Sequence, residues 1–236
     1  QSHARKIRYS ILSSFCIKKN INTILTGHNL DDQVETFFIR LSRGSGLTGL
    51  SAMKPLSKLD KKIDLFRPLL DVKKNSLIKI SKQIFKKFIN DPSNKNTKFL
   101  RTKIRNLKKP LMKSGINYDQ IIKSINNLAS SNEVLDQYLE EIFKDLAKVS
   151  KMQILIDFKK FIKLNLLVKI KLINKCVKIL KKNYYNPRSK KVTFLISAIE
   201  KHSFKKATLG GCLFLKKKDF LILIVEKVSK YSKKTT

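Results

Sequence analysis

No apolar run in this 236-residue chain reaches the ~20 residues that a membrane-crossing helix requires, so a helical span is excluded. The opening residues, QSHARKIRYS, contain neither a Met nor an apolar h-region. They read as neither a signal peptide nor a natural start, and the chain is expected to be cut from a longer one. Cysteine is sparse: Cys16, Cys176 and Cys212 lie far apart and form no CxxC pair. That leaves no zinc or iron–sulfur signature, no metal ligand set and no disulfide framework, and a reducing, cytoplasmic setting is expected. Acidic residues are few as well, 17 against 52 Lys and Arg, giving a net charge of +35 and a pI near 10.2. Such a surplus neutralises phosphates and releases counterions, so the expected partner is nucleic acid, ahead of an anionic membrane surface. Part of the excess also reflects a composition crowded with Lys, Asn and Ile, as in AT-rich coding. Arginine numbers only eight, and seven of the eight fall within the first 105 residues. Guanidinium forks grip phosphate or carboxylate bidentately where Lys offers a point charge, so anion-specific geometry is expected there.

What is present suffices for one ordinary domain with a smaller one beside it, and 42% hydrophobic residues can build the cores. Residues 5–19 read as an amphipathic helix, with Ile7, Ile11, Leu12 and Phe15 at helical spacing. Residues 22–27 read as a short buried strand ending in Gly27. A second helix from Asp31 carries Val34, Phe37, Phe38 and Leu41 and stops near Gly44. Helix, strand, helix is the rhythm of an open α/β sheet. Three of the seven glycines stand at 44, 46 and 49, marking a loop with demanding backbone geometry. An extended piece at 66–70 follows, then a helix at 72–86, a turn at 90–94 and a helix at 96–109 with Arg101 and Arg105 on one face. Residues 118–149 are read as helical almost throughout, and a second module begins near 151. It has helices near 164–182 and 189–201 and closes as a hairpin, with strands at 207–215 and 220–226 around a turn at 216–219. The expected domains are 1–112, a helical linker 113–150, and 151–236.

The densest group of reactive side chains is Thr26-Gly27-His28-Asn29-Leu30-Asp31-Asp32-Gln33-Val34-Glu35-Thr36. It follows a strand, at the carboxyl edge where open α/β sheets bind ligands. Asp32 and Glu35 are three apart on a first helical turn and could face one point, suiting an ammonium group or a hydrated Mg²⁺. His28 in the preceding loop could donate to phosphate. The plainer alternative is that these acids only complement the helix dipole.

TGHNLDDQVET resembles the GHxxDDxxET signature of PP-loop ATP pyrophosphatases that act on tRNA. RLSRGSGLTGLSAM resembles an element of the tRNA(Ile)-lysidine synthases in particular. FRPLLDVKK and NDPSNKNTKFLRTKIR resemble that family's RPLL and DPSN…R…IR elements, in order, and Ala4-Arg5 with Arg8-Tyr9 resembles its AR..RY helix. Thr208-Leu209-Gly210-Gly211 resembles its closing hairpin more weakly. The implied fold is α/β: a partial Rossmann-like (adenine nucleotide alpha hydrolase-like) parallel sheet, a long helical linker and a small α+β C-terminal domain.

The resemblance implies an ATP-dependent carbon–nitrogen ligase that adenylates the wobble cytidine of a CAU-anticodon tRNA(Ile) at its C2 oxygen. The amine of free lysine then displaces AMP, leaving lysidine. By similarity, Arg8 and His28 contact ATP or the adenylate, and Arg43, Gly44, Ser45 and Gly46 line the nucleotide or cytidine pocket. Asp32 and Glu35 hold the amino groups of lysine and Arg101 its carboxylate, with Arg105 a second candidate. The plainer alternatives are tRNA phosphate contacts for Arg101 and Arg105, and a helix C-cap for residues 43–46. ATP with Mg²⁺ is the implied cofactor set, tRNA(Ile) the partner, and a homodimer is allowed. Discrimination among tRNAs falls to the C-terminal module, where Lys169, Lys171, Lys205, Lys206 and Lys216–Lys218 read as basic surface.

Two departures stand out. The family's Ser-Gly-Gly-x-Asp-Ser loop, which cradles ATP phosphates, does not occur in the sequence; it is expected before Gln1, and without it the chain is expected to be inactive alone. Asn96 stands where the family commonly has an acid. The competing readings are a 2-thiocytidine-type PP-loop thiolase, which needs CxxC pairs, and a non-catalytic basic tRNA-binding module.

Overall fold

A computed structural model describes residues 2–59, 62–86, 100–181 and 187–226, with the side chains of residues 2, 3 and 6 left aside. The 90–94 turn, Asn96 and the start of the helix expected from 96 lie outside the described residues. Two compact units divide at Glu133/Val134, inside the stretch expected to link the domains.

In the first unit, α1 (Ser2–Lys18) precedes β1 (Thr23–Leu25), α2 (Leu30–Leu41), α3 (Leu47–Leu50), β2 (Leu56–Lys58) and β3 (Asp64–Phe66). Next come α4 (Lys74–Phe85), α5 (Leu100–Asn106), α6 (Lys108–Lys113) and the start of α7 (Tyr118–Leu146). The sheet order is β1-β3-β2, with β1 parallel and β2 antiparallel to β3. The α/β class is as expected; β2, only three residues long, had no sequence signal. The Thr26 N–H donates to the Phe66 carbonyl at 2.9 Å, carrying the β1–β3 pairing to the mouth of the His28 loop. Leu30 and Val34 on α2 pack with Tyr118, Ile121 and Ile125 of α7. The helix expected at 96–109 breaks at Leu107, because Pro110 brings no N–H to continue the ladder. The apolar stripe of α1 is exposed among the described residues, with Ile11 at 64% and Phe15 at 55%.

The second unit holds the rest of α7, β4 (Ala147–Val149), β5 (Gln153–Asp157), α8 (Phe158–Ile162), α9 (Leu166–Lys181) and α10 (Ser189–Ile199). It closes with β6 (Lys206–Leu209), β7 (Cys212–Lys217) and β8 (Phe220–Val225). All five strands are antiparallel, in the order β4-β5-β8-β7-β6. Three expectations are corrected. Residues 147–149 are a strand rather than the end of the long helix. The strand expected at 207–215 is two strands, because Gly210 and Gly211 take φ of +61° and +74° and form the two-residue turn that suits a twisted hairpin. Lys169 and Lys171 are not basic surface: α9 buries Lys169 with Leu172, Ile173 and Cys176, where it pairs with Glu200 at 2.6 Å, and Lys171, off that stripe but with only 12% of its side chain exposed, pairs with Asp136 at 2.6 Å. A buried ammonium requires such a partner. Among the described residues no helix is long and apolar enough to cross a membrane.

Candidate active site

The site grows from the start of α2. Asn29 caps the helix: its side-chain oxygen accepts from the Asp32 N–H at 3.2 Å, and the Asp32 carboxylate accepts from the Asn29 N–H at 3.1 Å. This reciprocal pair satisfies two helix-end donors, so one oxygen of Asp32 serves the fold. Asp31 faces elsewhere, accepting from the Lys74 N–H at 3.0 Å, where α4 begins, and from Lys108 Nζ at 2.5 Å. Burial alone would raise the Asp31 carboxyl, but the hydrogen bonds from Lys108 and the Lys74 N–H hold it below the usual aspartate value.

One turn on, Glu35 is 1% exposed. Arg105 grips it with two donors, Nε at 2.5 Å and Nη2 at 3.2 Å, and Arg101 adds Nε at 3.2 Å. Both arginines project from α5, four residues apart. The sequence reading set Glu35 against the ammonium of lysine and offered Arg105 to its carboxylate; the structure pairs the two with each other. A carboxylate this deep is held by cations of the chain itself, and an incoming ammonium would have to displace one. Burial pushes the Glu35 carboxyl above the ordinary glutamate range, the Asp32 charge adds to this, and Arg105 and Arg101 oppose it.

Arg101 has a second environment. With Arg5 and Arg8 of α1, Ile39 of α2 and Arg43 it lines a cleft of about 580 Å³ that also includes Ala4 and Leu100. Four of the eight arginines meet there and, among the described residues, no acidic side chain lines it, which is a setting for a phosphate or carboxylate. Arg5 lies over the Tyr9 ring at 5.0 Å. His28 is near enough to feel the charges of Arg5 and Arg101. Burial chiefly lowers its pKa below 6.5, Asp32 opposes, and Arg67, Arg5 and Arg101 push the same way as burial. Its Nδ1 lies 2.8 Å from Thr26 Oγ1. The lowered value favours the neutral ring, whose Nδ1 donates to or accepts from Thr26 Oγ1 according to the tautomer.

The glycine loop is fixed from below. The Gln33 amide makes two 2.8 Å hydrogen bonds, donating to the Met53 carbonyl and accepting from the Met53 N–H. Arg40 Nη1 donates to the carbonyls of Gly49 and Ala52 at 2.7 and 2.6 Å. Gly44, at φ +65°, ends the α2 segment as a C-cap glycine, the plainer of its two readings. Gly44, Ser45 and Gly46 do not line the arginine cleft; Arg43 does. Arg67 is buried and donates to the Lys54 carbonyl at 2.7 Å and to Ser57 Oγ at 3.0 Å.

The structure thus brings together Arg8, Arg43 and Arg101, with His28 nearby, and turns Arg105 to Glu35. Sequence reasoning did not assign Arg5, Gln33 or Arg40 to the site. Arg5 was findable, since Arg5 and Arg8 are three apart and share a helix face; the Gln33 and Arg40 clamps had no local signal. Among the described residues no three His, Cys, Asp or Glu side chains converge on a metal-sized point.

Residues 1–111 match the PP-loop domain. A tRNA(Ile)-lysidine synthase of Wolbachia pipientis wMel is 33% identical over 228 residues, covering 96% of this chain and 53% of that protein. One from Ruegeria pomeroyi is 30% identical, covering 91% and 51%, and one from Orientia tsutsugamushi is 44% identical over 112 residues, covering 48% and 25%. The chain spans about half the length of the first two. The solved structure of the U34-tRNA thiolase NcsA from Methanococcus maripaludis is similar over 54% of this chain and 43% of its own, with 21% identity and a TM-score of 0.43. The PP-loop match, which takes in the first 111 residues, gives no support to the expectation that the ATP phosphate-binding loop is missing.

Proposed function

We propose that this chain, which belongs to the tRNA(Ile)-lysidine synthases of the PP-loop family, acts in joining lysine to the wobble cytidine of a CAU-anticodon tRNA(Ile). The observation that carries the reading is the convergence of Arg5, Arg8, Arg43 and Arg101 on one cleft near His28 whose described lining holds no acidic residue. The cytidine C2 oxygen attacks the α-phosphorus of ATP and diphosphate leaves. A lysine amine, having lost its proton, then attacks C2, and AMP leaves with the C–O bond electrons. Three anionic groups must be gripped along this route: the triphosphate, the adenylate and the lysine carboxylate.

Arg8 and Arg43, with Arg5, take the phosphates, and neutral His28 donates to one of their oxygens. The backbone at Gly44, Ser45 and Gly46 flanks the nucleotide. Asp32 receives a lysine amino group with the carboxylate oxygen that its cap leaves over. Arg101 takes the lysine carboxylate, and Glu35 positions Arg101 and Arg105 instead of meeting lysine directly. Mg²⁺ would enter on the ATP phosphates, since its usual sites combine substrate phosphates with one or two carboxylates.

The test is incorporation of labelled lysine into a CAU-anticodon tRNA by the natural protein, with ATP present. Incorporation coupled to AMP release is expected, and Arg43→Ala lowers it at least ~10-fold by removing a charge-assisted contact. Asp32→Asn is expected to impair lysine transfer more than cytidine adenylation, and equal loss of both removes its assigned role. A protein that binds this tRNA and releases no AMP is the non-catalytic RNA-binding module instead. A thiolase reading lacks support, since Cys16, Cys176 and Cys212 are each buried and unpaired with another cysteine.

A further inference from the structure

We propose that the cleft between α10 and β6 binds an unpaired nucleotide of RNA, whose base stacks on the ring of Phe194. The proposal rests on reading the protein as one that acts on tRNA, and adds a contact that neither the family match nor the arginine cleft assigns. Phe194 is 79% exposed, more than any other large apolar side chain among the described residues. The core does not account for it: α10 buries Val192, Leu195, Ile196 and Ile199, and Phe194 stands on the opposite side. Lys190 and Lys191 lie four and three residues earlier, the helical spacing that puts them beside the ring.

These three side chains form one wall of a cleft of about 400 Å³, with Thr208 of β6 on the other and no acidic residue among the described lining residues. That volume lies within the roughly 300–1,000 Å³ of small-ligand clefts. β6 is the outermost strand of its sheet. The Lys216 N–H donates to the Lys205 carbonyl, and strand alternation then turns the backbone groups of Lys206 and Thr208 away from β7. A flat apolar face, two ammonium groups and an edge of peptide donors and acceptors match, in turn, a base face, a phosphate and a base edge. Charge complementarity favours RNA over a peptide strand: residues 134–236 hold 25 Lys and Arg against 8 Asp and Glu.

The experiment titrates the full chain into a fluorescent single-stranded oligoribonucleotide of about ten nucleotides, within the span such sites cover. Phe194→Ala is expected to weaken binding roughly ten-fold or more, Phe194→Leu to weaken it similarly, and Phe194→Tyr to keep it within about two-fold, because stacking needs a ring. The salt slope is unchanged in Phe194→Ala and falls by up to about 1.4 in the Lys190→Ala/Lys191→Ala double variant, about 0.7 per lost phosphate contact. As Phe194 lies outside the core, its variants keep the wild-type unfolding midpoint. Wild-type affinity in Phe194→Ala, full affinity in Phe194→Leu, or no binding by the unaltered chain overturns the proposal. So does a change of sedimentation without a change of RNA affinity, which would mark a protein-docking face. Lysine incorporation tests the other reading separately: Phe194-dependent RNA binding without incorporation sinks the ligase and leaves the platform. Incorporation without Phe194 dependence does the reverse.

Discussion

Arg105 holds Glu35 with two donors, Nε at 2.5 Å and Nη2 at 3.2 Å, and the carboxylate so held is 1% exposed while the guanidinium keeps 29% of its side chain in contact with water. That asymmetry sets which partner can be removed more cheaply. Arg105→Ala leaves a buried carboxylate with Arg101 as its one remaining cation among the described residues and is expected to cost about 3–5 kcal/mol. Glu35→Gln leaves two arginines that can turn to solvent and is expected to cost about 1–3 kcal/mol. Urea unfolding of both variants checks the order, and a larger loss in Glu35→Gln would refute it.

The Asp31 carboxyl, depressed by Lys108 and the Lys74 N–H, makes part of the stability acid-sensitive. A depressed carboxyl contributes its stabilisation above the unfolded-state value, near 3.8, and loses it as pH falls through the folded value. Asp31→Asn is therefore expected to be less stable than wild type at pH 7, with the gap closing as pH falls below that value. Unfolding free energies measured across the acid range decide this; a gap that widens toward low pH contradicts it.

A β-carbon on Gly49 would lie 2.6 Å from Ser45 Cβ. Gly49→Ala is expected to destabilise the protein by about 1–3 kcal/mol through overpacking. Ser45→Gly removes the atom it would strike, so the double variant should recover most of the loss beyond the sum of the single changes. Additive losses would place the strain elsewhere.

His28 is lowered chiefly by burial, and Asp32 is the charge that opposes this. Asp32→Asn should lower the His28 pKa further, and inorganic phosphate bound in the arginine cleft should raise it. Proton NMR of the ring resonances through a pH titration reads both; an upward shift in Asp32→Asn would show that Asp32 does not act on the ring.

Much of the first unit was legible where a helix is long or is capped by side chains close in sequence, as α2 is by Asn29 and Asp32 and α7 by Asn117 and Gln120. Asn29 with Asp32, and Leu30 with Val34, are three and four apart, so α2 and its first-turn acids could be read directly. The short strands were not. β2 is three residues long, and β5 shows its alternation only over Gln153–Asp157. Lys169 looked like surface because lysine usually is, although its spacing from Leu172, Ile173 and Cys176 already placed it on the buried stripe of α9.

The sequence by itself determined the net charge, the cap and carboxylates that open α2, the motifs that carry the family resemblance, and the glycines where the chain must turn. These depend on residue type and on neighbours within a few positions. Tertiary structure decided which arginine faces which anion. Arg101 and Arg105 share a helix face and look equivalent along the chain. Folding sets α5 against α2, 70 residues away in the case of Glu35 and Arg105, so that one guanidinium is spent on a buried carboxylate and the other also reaches the cleft. A carboxylate removed from water must find its cation within the fold, and its identity depends on packing that local spacing does not encode.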